Sequence, residues 1–163
     1  MQKLWCLSFI MFEYIAKQYK WTEKVPDDIA VISINNGKDA GSDEEYHCCH
    51  GDNVLNLDFD DIDPVALELD ETAETYLHKT KHGDIIIQFF TDEMAKKSVE
   101  FIEKYKDRNF FIHCSAGISR SQAFVKYIKN VYFETEWMTN PDNECEFPNG
   151  FVYSKLMNAY RNQ

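Results

Sequence analysis

Residues 109–130 read NFFIHCSAGISRSQAFVKYIKN, and the fold turns on how this stretch is divided. Phe110, Phe111 and Ile112 form a short apolar run of the kind that makes a buried strand, whereas Ala123, Phe124, Tyr127, Ile128 and Val131 recur at the spacing of one helix face. Cys114 therefore stands at a strand end and faces a helix N-terminus. Between the two elements lie Ser115, Ala116, Gly117, Ile118 and Ser119, with Gly117 free to take an unusual backbone angle or to allow a close approach. Such a loop can turn several backbone N–H groups inward as a nest for an anion. Those donors and the positive end of the helix dipole favour a bound oxyanion such as inorganic phosphate, and a cysteine thiolate over the thiol. Arg120 completes the cup, because its planar fork can hold two phosphate oxygens at once and a lysine ammonium cannot.

Outward from this segment, strand and helix patterns alternate. Residues 3–9, 29–34 and 54–59 read as strands, and Phe12, Ile15, Ala16 and Tyr19 recur on one helix face between the first two. Asn35 to Glu45 is a polar, glycine-containing loop. Asp63-Pro64 predicts the start of a helix on which Val65, Leu69, Ala73, Tyr76 and Leu77 keep to one side until Lys81-His82-Gly83 ends it. DIIIQFF at 84–90 reads as a short strand or buried extended segment, and Thr91 as the cap of a helix carrying Met94, Phe101, Ile102 and Tyr105 inward. The expected architecture is α/β: one domain over residues 1–163 with a central, largely parallel sheet flanked by helices.

His113, Cys114, Gly117, Arg120 and Ser121 match the pattern HCxxGxxRS, and on these residues the chain resembles the cysteine-dependent protein tyrosine phosphatase superfamily. The compact dual-specificity type, with its bacterial and phage relatives, is the closer likeness. The Trp-Pro-Asp loop of the large tyrosine-specific enzymes is missing, while FPNGFVYSKLMNAY at 147–160 is similar to the compact type's closing helix. The likeness covers roughly the second half of the chain plus the strand at 54–59.

The resemblance implies a fold of the cysteine-phosphatase kind and hydrolysis of phosphate monoesters through a cysteinyl-phosphate, with no metal and no cofactor. Cys114 would be the nucleophile, Arg120 and the amides of Ser115, Ala116, Gly117, Ile118 and Ser119 the phosphoryl binders, and Ser121 the hydroxyl that stabilises sulfur as leaving group. His113 would orient the loop by hydrogen bonding. A general acid is expected on an upstream loop, and VLNLDFDDIDP at 54–64 supplies Asp58, Asp60, Asp61 and Asp63. Compact members carry apolar residues two and four positions before the acid, as Phe59 and Leu57 stand to Asp61. Asp60 is the runner-up, since a one-residue slip exchanges their directions. Asp63 before Pro64 fits a helix cap better. Residues 64–90 lengthen the usual connection after the acid loop and read as an insertion.

Charge and cysteine usage narrow the partners. The chain carries a formal charge of −11, and between Asp39 and Thr72 it has no lysine or arginine. An acidic face near the mouth of the cup would repel polyanions, so nucleic acid and phosphoinositide-rich membrane are not expected partners, and a phosphorylated protein or peptide is, phosphotyrosine above all. Five cysteines, one of them the expected nucleophile, fit a reducing cytoplasmic setting better than a disulfide framework. The run His47-Cys48-Cys49-His50 lacks the spacing of a closed zinc site and reads as partly buried loop, with Cys48 or Cys49 a candidate resolving thiol for Cys114. The short apolar start, LWCLSFIMF, has no small-residue cleavage site and reads as strand running into helix. Two other functions stay open beside the hydrolase of phosphoproteins. One is a binding module that keeps the cup without turnover, the other a phosphatase of small molecules such as nucleotide or sugar phosphates. A rhodanese-like sulfur transferase fits Gly117 and Ser121 less well.

Overall fold

The computed structural model describes residues 2–37, 47–132, 135–139 and 147–163. In chain order the elements are β1 (Gln2–Ser8), α1 (Phe9–Gln18), β2 (Ile29–Asn35), β3 (Val54–Asp58), a one-turn 3-10 helix (Pro64–Leu67), β4 (Thr75–Thr80), β5 (Gly83–Gln88), α2 (Asp92–Lys104), β6 (Asn109–Cys114), α3 (Arg120–Val131), β7 (Thr135–Thr139) and α4 (Gly150–Arg161). Five strands make one sheet in the order β3-β2-β6-β1-β7, every neighbouring pair parallel. The α/β class with a parallel sheet flanked by helices is thus present. Among the described residues no helix is long and apolar enough to cross a membrane.

Side-chain alternation along the central strands explains why helices cover both faces. On β6, Phe110, Ile112 and Cys114 point to the same side as Ala30, Ile32 and Ile34 of β2, and this side packs against Val99 and Ile102 of α2, Phe124 and Ile128 of α3, and Val152 and Leu156 of α4. On the other side Val31 and Phe111 meet Phe12 and Ala16 of α1 together with Trp21. Trp21 meets Phe111 edge to face, with ring centroids 4.8 Å apart. Burying a side chain such as Phe12 or Phe110 contributes about 1.5–3 kcal/mol, so the two-sided core fixes the sheet's register. That register brings the C-terminal ends of the strands to one edge: Ser8 lies opposite Cys114, Ser33 opposite His113, and Asn35 opposite Asp58. Crevices at the carboxyl edge of a parallel sheet are where such folds hold ligands.

Capping residues start the helices, Thr91 as the sequence predicts and Asn149 in addition. Thr91 Oγ1 accepts from Met94 N–H at the start of α2, and Asn149 Oδ1 accepts from Val152 N–H at the start of α4. The expected helix over 64–81 is corrected. Asp63 does cap Val65 N–H with Pro64 in the first position, but the 3-10 turn stops at Glu68, which adopts φ 58°. An Asp70–Thr72 turn follows, and β4 and β5 pair as an antiparallel hairpin, Thr80 opposite Gly83. The alternation in TYLHKT with its aromatic Tyr76, the β-branched residues of DIII, and Gly83, whose φ of 127° follows the Lys81-His82 turn, suit a hairpin and outweigh the helical spacing. Residues 38–46, most of the polar loop, lie outside the described residues.

Candidate functional site

The loop between β6 and α3 is drawn tight around Cys114. Cys114 is the last residue of β6 and is 2% exposed. Its Sγ lies 3.3 Å from the backbone N–H of Gly117, which donates to it, and 3.1 Å from Ser121 Oγ. Hydrogen bonds converging on a sulfur stabilise negative charge there. Gly117 has φ 73°, and a Cβ at this position would stand 2.6 Å from the carbonyl carbon of Leu7. The loop therefore leans directly on the end of β1, and Phe9 N–H donates to Ser115 C=O at 3.1 Å.

Arg120, the first residue of α3, is 3% exposed and anchored by protein groups on one side only. Its Nη1 donates to the carbonyls of Asn35 at 3.1 Å and Phe59 at 2.7 Å, and its Nη2 donates to Ser115 Oγ at 2.8 Å. Nε is buried with no hydrogen-bond partner among the described residues. A guanidinium has five N–H groups, so Nε–H and one hydrogen of Nη2 remain for a ligand. A buried donor without a partner costs about 1–3 kcal/mol, and an oxyanion in the loop would supply the acceptors. The first turn of α3 contains no acidic residue, and Ser119, at the capping position, makes no side-chain bond to the helix. The positive end of the helix thus faces the loop without a carboxylate of its own.

The four upstream aspartates have four different places. Asp60 is 8% exposed, and both its oxygens accept backbone donors, Oδ1 from Gly37 N–H at 3.1 Å and Oδ2 from Gln88 N–H at 2.8 Å. It ties the hairpin to the end of β2. Asp61 is exposed beside the loop, its Oδ1 accepting from Ser119 Oγ and from Asn149 Nδ2, both at 2.8 Å. Asp63 caps the 3-10 turn, and Asp58 Oδ1 meets His47 Nε2 at 2.9 Å. Of the neighbouring pair, Asp61 is the one brought to the loop. Ala116 is exposed and Ile118 and Ser119 are half-buried at the loop's rim.

Two features escaped the sequence reading. His113 is fully buried and stacked on Phe12 at 4.3 Å, and its Nε2 shares the Ser33 hydroxyl, at 2.7 Å, with Nδ1 of His47, at 2.8 Å from the same oxygen. Burial, with the electrostatic effect of His47 and Arg120 acting in the same direction, pushes the His113 pKa down to about 3. His113 is thus a neutral strut joined through Ser33 and His47 to Asp58. The clue was Ser33, a lone hydroxyl in the apolar run IAVISIN, which a buried strand tolerates only if it is bonded. The second feature is Cys6 of β1, whose Sγ lies 3.2 Å from Ser121 Oγ.

The His47–His50 run does not converge. His47 turns to Ser33 and Asp58, Cys48 and Cys49 are buried with sulfurs 3.8 Å apart, and His50 faces Asn56 at 3.4 Å. Cys48 and Cys49 belong to the cluster under α1, whereas Cys114 belongs to the cluster on the opposite face of the sheet. Besides Cys114, the thiol beside Ser121 is that of Cys6, and the candidates for a resolving thiol named from sequence sit across the sheet.

A cup of backbone and guanidinium donors around a cysteine sulfur, with a carboxylate at its rim, can bind an oxyanion and present it to a nucleophile. No protein-family model matches this chain, and no curated protein is significantly similar to it.

Proposed function

We propose that this protein is a metal-free phosphomonoesterase of the cysteine-dependent kind, acting on phosphorylated proteins with phosphotyrosine favoured. The observation that carries the reading is the half-anchored Arg120: a buried guanidinium with Nε–H unused, next to a cysteine sulfur in a loop at a helix N-terminus. A structural arginine would have its donors spent on the protein. This one keeps an edge free where a phosphoryl group would lie.

The reaction follows from the same geometry. The Cys114 thiolate attacks phosphorus, a sulfur–phosphorus bond forms and the phosphorus–oxygen bond to the tyrosine side chain breaks. Arg120 and the amides of residues 115–119 balance charge on the non-bridging oxygens throughout. Asp61, with Oδ1 held by Ser119 and Asn149, gives the proton on Oδ2 to the leaving oxygen. Water then attacks the cysteinyl-phosphate, Asp61 takes its proton, and the sulfur leaves as thiolate, stabilised by the Ser121 hydroxyl and the Gly117 N–H. Inorganic phosphate is released. The nucleophile must stay reduced, which suits a cytoplasmic setting.

The test is hydrolysis of an aryl phosphate with EDTA present. Wild type should turn it over, Cys114→Ser should not, and Cys114→Ser should still bind tungstate because the cup donors persist. Arg120→Lys should fail in both respects, since one ammonium cannot replace the fork. Tungstate binding without turnover by wild type would reduce the protein to a binding module. Activity lost in EDTA and restored by zinc would overturn the metal-free mechanism.

A further inference from the structure

Beside the loop a groove of about 610 Å³ opens between the 3-10 turn and the start of α4. Its lining includes Asp61 and Ser119 beside the loop, Asp63 and Glu71 from the segment after β3, and Phe147 and Phe151 around the start of α4. Glu71, Phe151 and Ser154 also line a second cavity of about 750 Å³ along α2 and α4. Phe147 is 70% exposed, and Val65, also on the groove, is 57% exposed, so two large apolar side chains stand in solvent at the edge of the proposed active site. Among the described residues, the lining of the first cavity includes three carboxylates, those of Asp61, Asp63 and Glu71, and no lysine or arginine.

Resting on the hydrolase reading, we propose that this groove seats the peptide chain flanking the phosphotyrosine, and that it selects a basic residue close to the phosphorylated one. The groove shares Asp61 and Ser119 with the mouth of the cup, so a chain whose phosphate lies on Arg120 enters the groove as it leaves the loop. Phe147 and Phe151 take the aliphatic stem of a lysine or arginine side chain, and Glu71 with Asp63 meets its charge. An acidic flank meets the same carboxylates as like charge. The 3-10 turn that carries Val65 and the Asp70–Thr72 turn that carries Glu71 both belong to the insertion after the acid loop, so the extra residues have a use at the site: they line the substrate groove.

The experiment compares two phosphotyrosine peptides identical but for Lys or Glu at each position within three residues of the phosphotyrosine, with an aryl phosphate as reference, on wild type and Glu71→Lys. The readout is kcat/KM for each peptide divided by that for the aryl phosphate. Wild type should favour the lysine peptide about three- to tenfold at one or two positions, mainly through KM, and Glu71→Lys should reverse that preference toward the glutamate peptide. Raising ionic strength should shrink both preferences, because the groove is open to solvent. Phe147→Ser, a change at an exposed residue, should raise KM for peptides and leave the lysine-to-glutamate direction intact. If aryl phosphate is hydrolysed but Glu71→Lys leaves the peptide ratio unmoved at every position, the groove is not the peptide seat. If wild type does not hydrolyse aryl phosphate at all, the hydrolase reading fails first and takes this one with it.

Discussion

Neighbouring carboxylates with opposite surroundings offer the sharpest test of the proposed chemistry. Asp60 accepts two backbone N–H groups, one on each oxygen, in a nearly buried position. Asp60→Asn keeps one carbonyl oxygen and turns an NH₂ toward the other donor. A stranded buried donor costs about 1–3 kcal/mol, and the surviving bond loses its charge assistance, about 1 kcal/mol more. The variant should therefore lose about 2–4 kcal/mol of stability, a fall of about 1–2 M in urea midpoint at a slope of ~2 kcal/mol/M. Asp61→Asn keeps a carbonyl oxygen for Ser119 and Asn149 and is exposed, so its stability should stay within about 0.5 kcal/mol of wild type. Its activity should behave in the opposite way. With phenyl phosphate, whose leaving oxygen needs a proton, kcat/KM should fall by about 10²–10⁴, and the alkaline limb of the pH profile should flatten. With p-nitrophenyl phosphate, which leaves readily, the loss should be much smaller. Urea titrations and paired pH–rate profiles on both variants decide the matter. An Asp60→Asn protein of unchanged midpoint that has lost the alkaline limb, beside an Asp61→Asn protein that keeps it, would falsify the assignment of structural and proton-donating roles.

Two further outcomes follow from the loop and its buried strut. Gly117→Ala should destabilise the protein by at least about 2 kcal/mol and lower aryl-phosphate kcat/KM more than tenfold, since its Cβ would meet β1 backbone at 2.6 Å and a left-handed φ is itself strained; full activity would show that the loop does not rest on β1. His113 has its pKa pushed from 6.5 down to about 3, so between those values the unfolded chain binds a proton that the folded one does not. Stability should be undiminished above pH 6.5 and should fall as pH drops toward 3, by about 2 kcal/mol at pH 5, an order-of-magnitude figure from the shift. His113→Gln should remove one proton from the slope of unfolding free energy against pH, and an unchanged slope would mean that the imidazole titrates normally in the fold.

What could be read from the sequence is the part where neighbouring residues dictate the answer. The strand, loop and helix at 109–131 are legible because an apolar run, a glycine and a helical repeat follow one another without interruption. Thr91 and Asp63 declare themselves as caps for the same reason. Asp60 and Asp61 could not be separated, because the burial of Asp60 depends on Gln88, twenty-eight positions away, and on Gly37. The false helix arose where Val65, Tyr76 and Leu77 happen to fall at helical intervals. They are exposed or half-buried, so no core enforces that spacing, and strand pairing between residues 75–88 takes over. β7 is short, at Thr135–Thr139, and carries no alternation strong enough to announce a strand. Ser33 and Cys6 needed tertiary pairing before they could be linked to residues 113 and 121.

The contact of Gly117 with Leu7 also bears on how the molecule comes into being. β1 sits between β6 and β7, so its partners arise more than one hundred residues later in the chain. Pairings of such long sequence separation form late and slowly, because loop closure must precede any gain from them. The N-terminal strand must therefore wait in synthesis, with Trp5 and Leu7 exposed, until β6 has been made. Only then does the backbone of Leu7 and Ser8 close one side of the Cys114 loop. Secondary structure should appear in refolding before oxyanion binding does, and the lag between them would measure the time taken to insert one strand into the middle of a parallel sheet.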